Sequence, residues 1–227
     1  MNEKIPREKP IQVFLVDDHP STLAGLRVCL DGPDFEIAGT AMTGKEAVAG
    51  ILAQDPDAVI LDVRLPDFSG LEVLKKVKAG APQVAVLMFT AFPEPGFLMD
   101  AVMGGAAGFL LKGVGANEVT TAIRRLADGE NTLPPEVWKP MLREFQSRQI
   151  KERGASAEGW DEIDLTLLQG MALGWSNSKI ASNLGKSYDT VRSRNKRIFS
   201  KLGTSDRTQA VVKAIARGLI TAVDAEE

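Results

Sequence analysis

The chain has 227 residues, enough for two modest domains or one large one, with 44% apolar and 25% charged residues, which excludes a disordered chain. Its formal charge is −3; the one cysteine, Cys29, excludes an internal disulfide, and the one histidine, His19, excludes a multi-histidine zinc site. No apolar run reaches the ~18 residues of a membrane helix, and the charged stretch 1–10 lacks a signal-peptide core, so a soluble, cytoplasmic protein is expected.

From the N-terminus, IQVFLV at 11–16 reads as a buried strand. A weaker strand follows at 35–39, then strands centred on 59–61, at 84–89 (VAVLMF) and at 108–111 (GFLL). Continuous apolar runs of this kind suit a parallel sheet covered on both faces. Helical patterns fall between them, at 20–30, 43–53, 69–79, 95–104 and 115–128. The alternation predicts an α/β domain over 1–130, a (βα)5 doubly wound parallel sheet with right-handed crossovers.

Residues 131–159 hold three prolines, two glycines and mixed charge; they read as a linker, helical in part at 136–150. From 160 to 227 no strand pattern appears. Apolar helical faces stop in turn at Gly174, Gly185 and Gly203, and a fourth helix carries Ala210, Val211, Ala214, Ile215 and Leu219. Ser187 reads as the N-cap of the third helix, and Ser205 or Asp206 as that of the fourth. An all-α four-helix domain is expected.

Charge separates the two parts. Residues 1–130 are net −6, whereas 160–227 are net +2, with Lys186, Arg192, Arg194, Lys196, Arg197 and Lys201 within one stretch against Asp189. Two parts with different partners follow.

In an open parallel sheet the carboxyl ends of the strands share one edge, where ligands bind. That edge collects Asp17 and Asp18 after the first strand, Asp62 after the third, Thr90 after the fourth and Lys112 after the fifth. Three carboxylates together need a cation, and hard oxygen ligands without Cys or His suit Mg²⁺. A metal beside a carboxylate and a lysine is equipped for phosphoryl transfer: Asp62 as nucleophile, Lys112 and Thr90 stabilising phosphoryl oxygens.

DDHP at 17–20, ILDVRLPDFSG at 60–70, FTA at 89–91 and FLLKG at 109–113 together resemble a two-component receiver domain over about 10–128. The resemblance implies that Asp17, Asp18, Asp62 and the backbone carbonyl of Arg64 hold Mg²⁺. It makes Asp62 the phosphoacceptor for a partner sensor histidine kinase. It makes Thr90 and Lys112 the readers of the phosphoryl group. Phe109 stands where the family often has a tyrosine; the resemblance offers a Thr90–Phe109 switch without the hydroxyl a tyrosine would contribute, and the alternative is a ring that only packs in the core. His19, followed by Pro20, is expected to shape the start of the first helix rather than to carry phosphate.

The pattern at 176–202, a helix, a turn at 185–187 and a second helix, is that of a helix-turn-helix, whose second helix enters the DNA major groove. Val191, Ile198 and Leu202 face inward, and Arg192, Ser193, Lys196 and Arg197 outward. With Lys186, Ser187 and Thr190 these are the expected DNA-binding residues. The stretch 160–221 resembles the LuxR/NarL-type DNA-binding domain, in GWSNSKIASNLGKS, TVRS, IFSKLG and DRTQAV. Two departures stand out: Trp160–Asp164 replaces the family's Leu-Thr-x-Arg-Glu opening, and Arg194 replaces a common His. The resemblance makes the last helix, with Ala210, Val211, Ala214 and Ile215, a dimer helix for a homodimer on double-stranded DNA; the alternative is that these residues cover the small core. The function expected is a transcriptional response regulator rather than an enzyme. The rivals are a regulator that uses its receiver only for protein contacts and an aspartate-nucleophile phosphatase. Arg64, where the phosphatase would carry a general acid, opposes the latter.

Overall fold

The computed structural model describes residues 9–91, 95–130, 132, 159–204 and 206–221. Five strands, β1 (Ile11–Val16), β2 (Phe35–Ala41), β3 (Ala58–Asp62), β4 (Ala85–Thr90) and β5 (Gly108–Leu111), form one parallel sheet in the order β2-β1-β3-β4-β5. They alternate with α1 (Pro20–Cys29), α2 (Gly44–Gln54), α3 (Gly70–Gly80), α4 (Pro95–Gly104) and α5 (Ala116–Ala127). The doubly wound expectation holds. Because side chains alternate across a strand, the continuous apolar runs feed two cores. Val13, Leu15, Ile60 and Leu87 pack with α1 and α5 through Leu26, Val119 and Ile123. Val16, Val59, Leu61, Val86 and Met88 pack with α2, α3 and α4 through Ile51, Leu74, Val77 and Val102.

Helix starts fall one residue inside the expected bounds where the first residue is a cap. Thr43 and Ser69 sit outside α2 and α3 in extended backbone, and their hydroxyls accept the Glu46 and Glu72 amides. Asp62 and Thr90, expected just after their strands, are the last residues of them.

The C-terminal part is helical, with α6 (Glu162–Ala172), α7 (Asn177–Leu184), α8 (Tyr188–Leu202) and α9 (Arg207–Ala216). Gly185, with φ 61° (a left-handed conformation that glycine adopts without a Cβ clash), ends α7 and turns the chain into α8. Ser187 caps α8 as expected, and Asp206 caps α9. The core is Leu167, Leu168, Met171, Ile180, Val191, Ile198 and Leu202. Arg207, 3% exposed, donates to the carbonyls of Gly170, Met171 and Trp175, tying α9 to the turn after α6. Burial pulls its pKa down to about 10, which leaves it charged at neutral pH. The linker expected at 131–159, with its helix at 136–150, lies almost wholly outside the described residues.

The two parts touch. One apolar cluster runs from Ala101 and Val102 of α4 into the C-terminal core. The side chain of Gln209 on α9 occupies the space beside Gly105. Lys78 of α3 reaches Asp206 at 3.7 Å, both side chains under a tenth exposed, while donating to the Val84 carbonyl at 2.7 Å. At the end of α5, Glu130 and the Asp128 carbonyl meet Asn177. Among the described residues no helix is long and apolar enough to cross a membrane.

Candidate functional site

The carboxyl ends of β1, β3, β4 and β5 bring Asp17, Asp18, Asp62, Thr90 and Lys112 to one edge, as the sequence predicts. Asp17 is fully buried, and Asp62 and Thr90 are 4% and 5% exposed. The Lys112 ammonium lies between two carboxylates, 2.7 Å from Asp17 and 2.8 Å from Asp62. Desolvation works against its charge, but the bonds to Asp17 and Asp62 outweigh this and hold its pKa above the ordinary lysine value. For Asp62 desolvation dominates and the Asp17 charge adds to it, so its pKa is raised despite Lys112 and the Val63 amide, which donates to it at 2.7 Å. One ammonium among three carboxylates leaves the pocket short of positive charge.

Oxygens of Asp17, Asp18 and Asp62 and a nitrogen of His19 all lie within 4.8 Å of one another. Asp17 Oδ2 and Asp18 Oδ1 are buried and accept no hydrogen bond of good geometry; the nitrogens nearest them are Lys112 Nζ at 2.7 Å and His19 Nδ1 at 2.6 Å. Oxygen donors in deficit of cation fit a hard divalent ion. His19 stands as expected at the cap of α1, where its carbonyl accepts the Thr22 and Leu23 amides.

The loop after Asp62 is pinned at several points. The Gly70 amide donates to the Val63 carbonyl at 2.8 Å, and Arg64 bridges Ser69 across the loop. The Asp67 carboxylate accepts the Gly44 and Lys45 amides at the start of α2, at 2.6 and 2.9 Å. This fixes the backbone that carries the Arg64 carbonyl. Phe109 is 8% exposed and packs edge-on against Phe97 of α4, with centroids 6.1 Å apart. The ring therefore links the strand beside Thr90 to the helix that faces the C-terminal part.

On the second surface, Lys186, Ser193 and Lys196 are exposed and Arg192 is half-buried. Ser187 and Thr190 serve the helix start: the Ser187 hydroxyl accepts the Thr190 amide and lies 2.8 Å from the Thr190 hydroxyl. Arg197, expected to face outward as a DNA contact, is exposed and also paired with acids at the α6 start. It donates to Asp164 at 2.7 and 3.0 Å and to Asp161 at 3.3 Å. Arg194 joins the same two acids and Lys201 joins Asp164. The two departures from the family pattern thus meet: Asp161, where the opening has Thr, pairs with Arg194, where the family commonly has His, at 2.9 Å. Asp164, fully buried, is a residue the sequence reading passed over, because its partners lie 30 or more positions away.

Of the two readings of Ala210, Val211, Ala214 and Ile215, a dimer face or a cover for the small core, the single chain shows burial: each is 6% exposed or less. An isolated amphipathic helix in the sequence looks the same whether its stripe meets a second copy or its own domain.

A doubly wound sheet with this acid–lysine–threonine edge, joined to a helix-turn-helix, defines a signalling receiver carrying a nucleic-acid-binding module. Residues 13–124 match the family model for the response regulator receiver domain, and 164–214 that for bacterial regulatory proteins of the luxR family. The chain is 34% identical to the response regulator protein VraR of Staphylococcus aureus over 211 residues, covering 92% of this chain and 99% of VraR. The signal receiver domain of a NarL response regulator from Mycobacterium tuberculosis superposes with a TM-score of 0.52 at 32% identity, over 54% of this chain and 99% of that one. A LuxR-family two-component response regulator from Aurantimonas gives 0.54 at 26% identity, over 60% and 97%. The chain belongs to the two-component response regulators, with a receiver domain and a LuxR-type DNA-binding domain.

Proposed function

We propose that this regulator is switched by phosphorylation of Asp62 by a partner sensor histidine kinase, with Mg²⁺ held by Asp17, Asp18, Asp62 and the Arg64 carbonyl. The observation that carries the reading is the Lys112 ammonium bridging buried Asp17 and Asp62 beside Thr90. An Asp62 oxygen attacks the phosphorus of a phosphohistidine. The new O–P bond forms as the P–N bond breaks, and the electron pair stays on the imidazole nitrogen. Lys112 and the Thr90 hydroxyl bind the phosphoryl oxygens as charge spreads over them. Bound Mg²⁺ supplies the remaining charge neutralisation.

Thr90 then moves toward the phosphoryl group and Phe109 follows inward, pulling on Phe97 and α4. Because α4 packs against the C-terminal helices, this shifts the balance between closed and open chains. Lys186, Arg192, Ser193 and Lys196 contact DNA, with Ser187 and Thr190 shaping the start of α8 and Arg197 braced by its acids. The open form pairs as a homodimer on double-stranded DNA and regulates transcription in the cytoplasm. The functional units are the receiver at 1–130, a linker at 131–159 and the DNA-binding domain at 160–227.

The test is incubation with Mg²⁺ and a small acyl phosphate, read by intact mass. A gain of one phosphoryl group, dependent on Mg²⁺ and lost in Asp62→Asn, is expected. Labelling that survives Asp62→Asn overturns the assignment.

A further inference from the structure

His19 is the one histidine of the chain, and its ring ends on the acidic pocket. Its backbone is fixed from both sides. The His19 amide donates to Asp17 Oδ1 at 2.9 Å. Pro20, the first residue of α1, restricts the residue before it to extended backbone, and His19 has φ −103° and ψ 114°. The side chain makes no capping bond to α1, so the helix start does not use the ring.

The ring nitrogen instead joins the carboxylates. Nδ1 lies 2.6 Å from Asp18 Oδ1 and 3.4 Å from Asp17 Oδ1, and an oxygen of Asp62 completes the group. Those two separations bracket the about 3 Å between adjacent donors on one octahedral ion at ~2.1 Å. The closer contact is not a hydrogen bond, because Asp18 Oδ1 is buried and accepts none of good geometry. A nitrogen and an oxygen crowded together with no proton in line between them are two donors aimed at one cation.

Three carboxylates alone suit Mg²⁺, a hard ion. An imidazole nitrogen changes the ranking, because it suits the divalent ions of the first transition series and not Mg²⁺. We propose that His19 Nδ1 is a metal ligand beside Asp17, Asp18 and Asp62, and that the pocket therefore holds a divalent transition ion, Mn²⁺ to Zn²⁺, more tightly than Mg²⁺. This rests on the reading of the acidic edge as a metal site. As a ligand, the ring turns its Nδ1 lone pair to the ion and carries its proton on Nε2; the side chain is 66% exposed, so that N–H finds water. Asp62, Thr90 and Lys112 keep their roles with either kind of ion.

The test uses the full chain without a purification tag, which would add histidines, and Mn²⁺, Ni²⁺ or Mg²⁺ added alone. In pulsed electron paramagnetic resonance, bound Mn²⁺ shows the ¹⁴N coupling of a directly bonded imidazole, which only His19 can supply, and His19→Ala abolishes it. By calorimetry, His19→Ala binds Ni²⁺ about 10-fold more weakly or worse, and Mg²⁺ within about 2-fold of wild type. Bound Mn²⁺ without imidazole coupling, or Ni²⁺ and Mg²⁺ weakened by the same factor, overturns the proposal, His19 then serving only to orient Asp18. If no ion binds, or if Asp18→Asn leaves every affinity unchanged, the metal reading of the pocket itself falls and the His19 ligand with it.

Discussion

Replacing Gly70 with alanine tests how tightly the phosphoacceptor loop is built. Gly70 opens α3, and a Cβ there would lie 2.3 Å from the Asp62 carbonyl oxygen and 2.9 Å from Val63 Cα. Both neighbours are backbone, so no rotamer change relieves the clash. The Cβ and the oxygen must part by roughly 1 Å to reach ordinary contact. The loop cannot swing freely, because the Arg64–Ser69 bridge and the Asp67 bonds to Gly44 and Lys45 hold it. Overpacking of this kind costs about 1–3 kcal/mol. The alanine also restricts the unfolded chain, offsetting about 0.4–1 kcal/mol. A net loss of about 1–2 kcal/mol lowers the melting temperature of a domain this size by roughly 4–8 °C. Thermal unfolding of the full chain followed by circular dichroism reads this directly. A melting temperature within about 1 °C of wild type would show that the loop relaxes cheaply, and would refute the account of its rigidity.

Other consequences follow from individual contacts. Lys78→Met leaves Asp206 without its counter-charge in the closed chain, a cost of about 3–5 kcal/mol that opening avoids; the radius of gyration from small-angle scattering should rise, and an unchanged value counts against the Lys78–Asp206 contact as a closure element. Lys196→Ala should reduce the salt dependence of DNA binding by about one phosphate contact; Arg197→Ala should reduce it by less than half as much, and equal effects would mean that Asp161 and Asp164 release the arginine on DNA. The Asp164 amide, then Arg194, hold the Asp161 carboxyl down at about 2. Since this lies below the ~3.9 of an unfolded aspartate, the brace contributes fully above about pH 4 and is lost as pH falls toward 2; a ¹³C carboxyl titration with a midpoint near 3.9 would remove it. Phe109→Ala should uncouple phosphorylation from DNA affinity, and unchanged coupling would leave the ring a packing residue only.

The strand and helix patterns, and the edge that gathers Asp17, Asp18, Asp62, Thr90 and Lys112, were legible from residue order alone. Side-chain periodicity and cap chemistry act over a few residues, and the rule that parallel strands share a carboxyl edge converts order into place. Only the tertiary structure decided that Arg197 is paired with Asp161 and Asp164. It also decided that Ala210 and Val211 are interior, that Lys78 faces Asp206, and that Glu130 caps α7. Each depends on groups separated by tens of residues, brought together by how whole helices pack. A basic stripe reads the same in the sequence whether acids from another helix face it or water does.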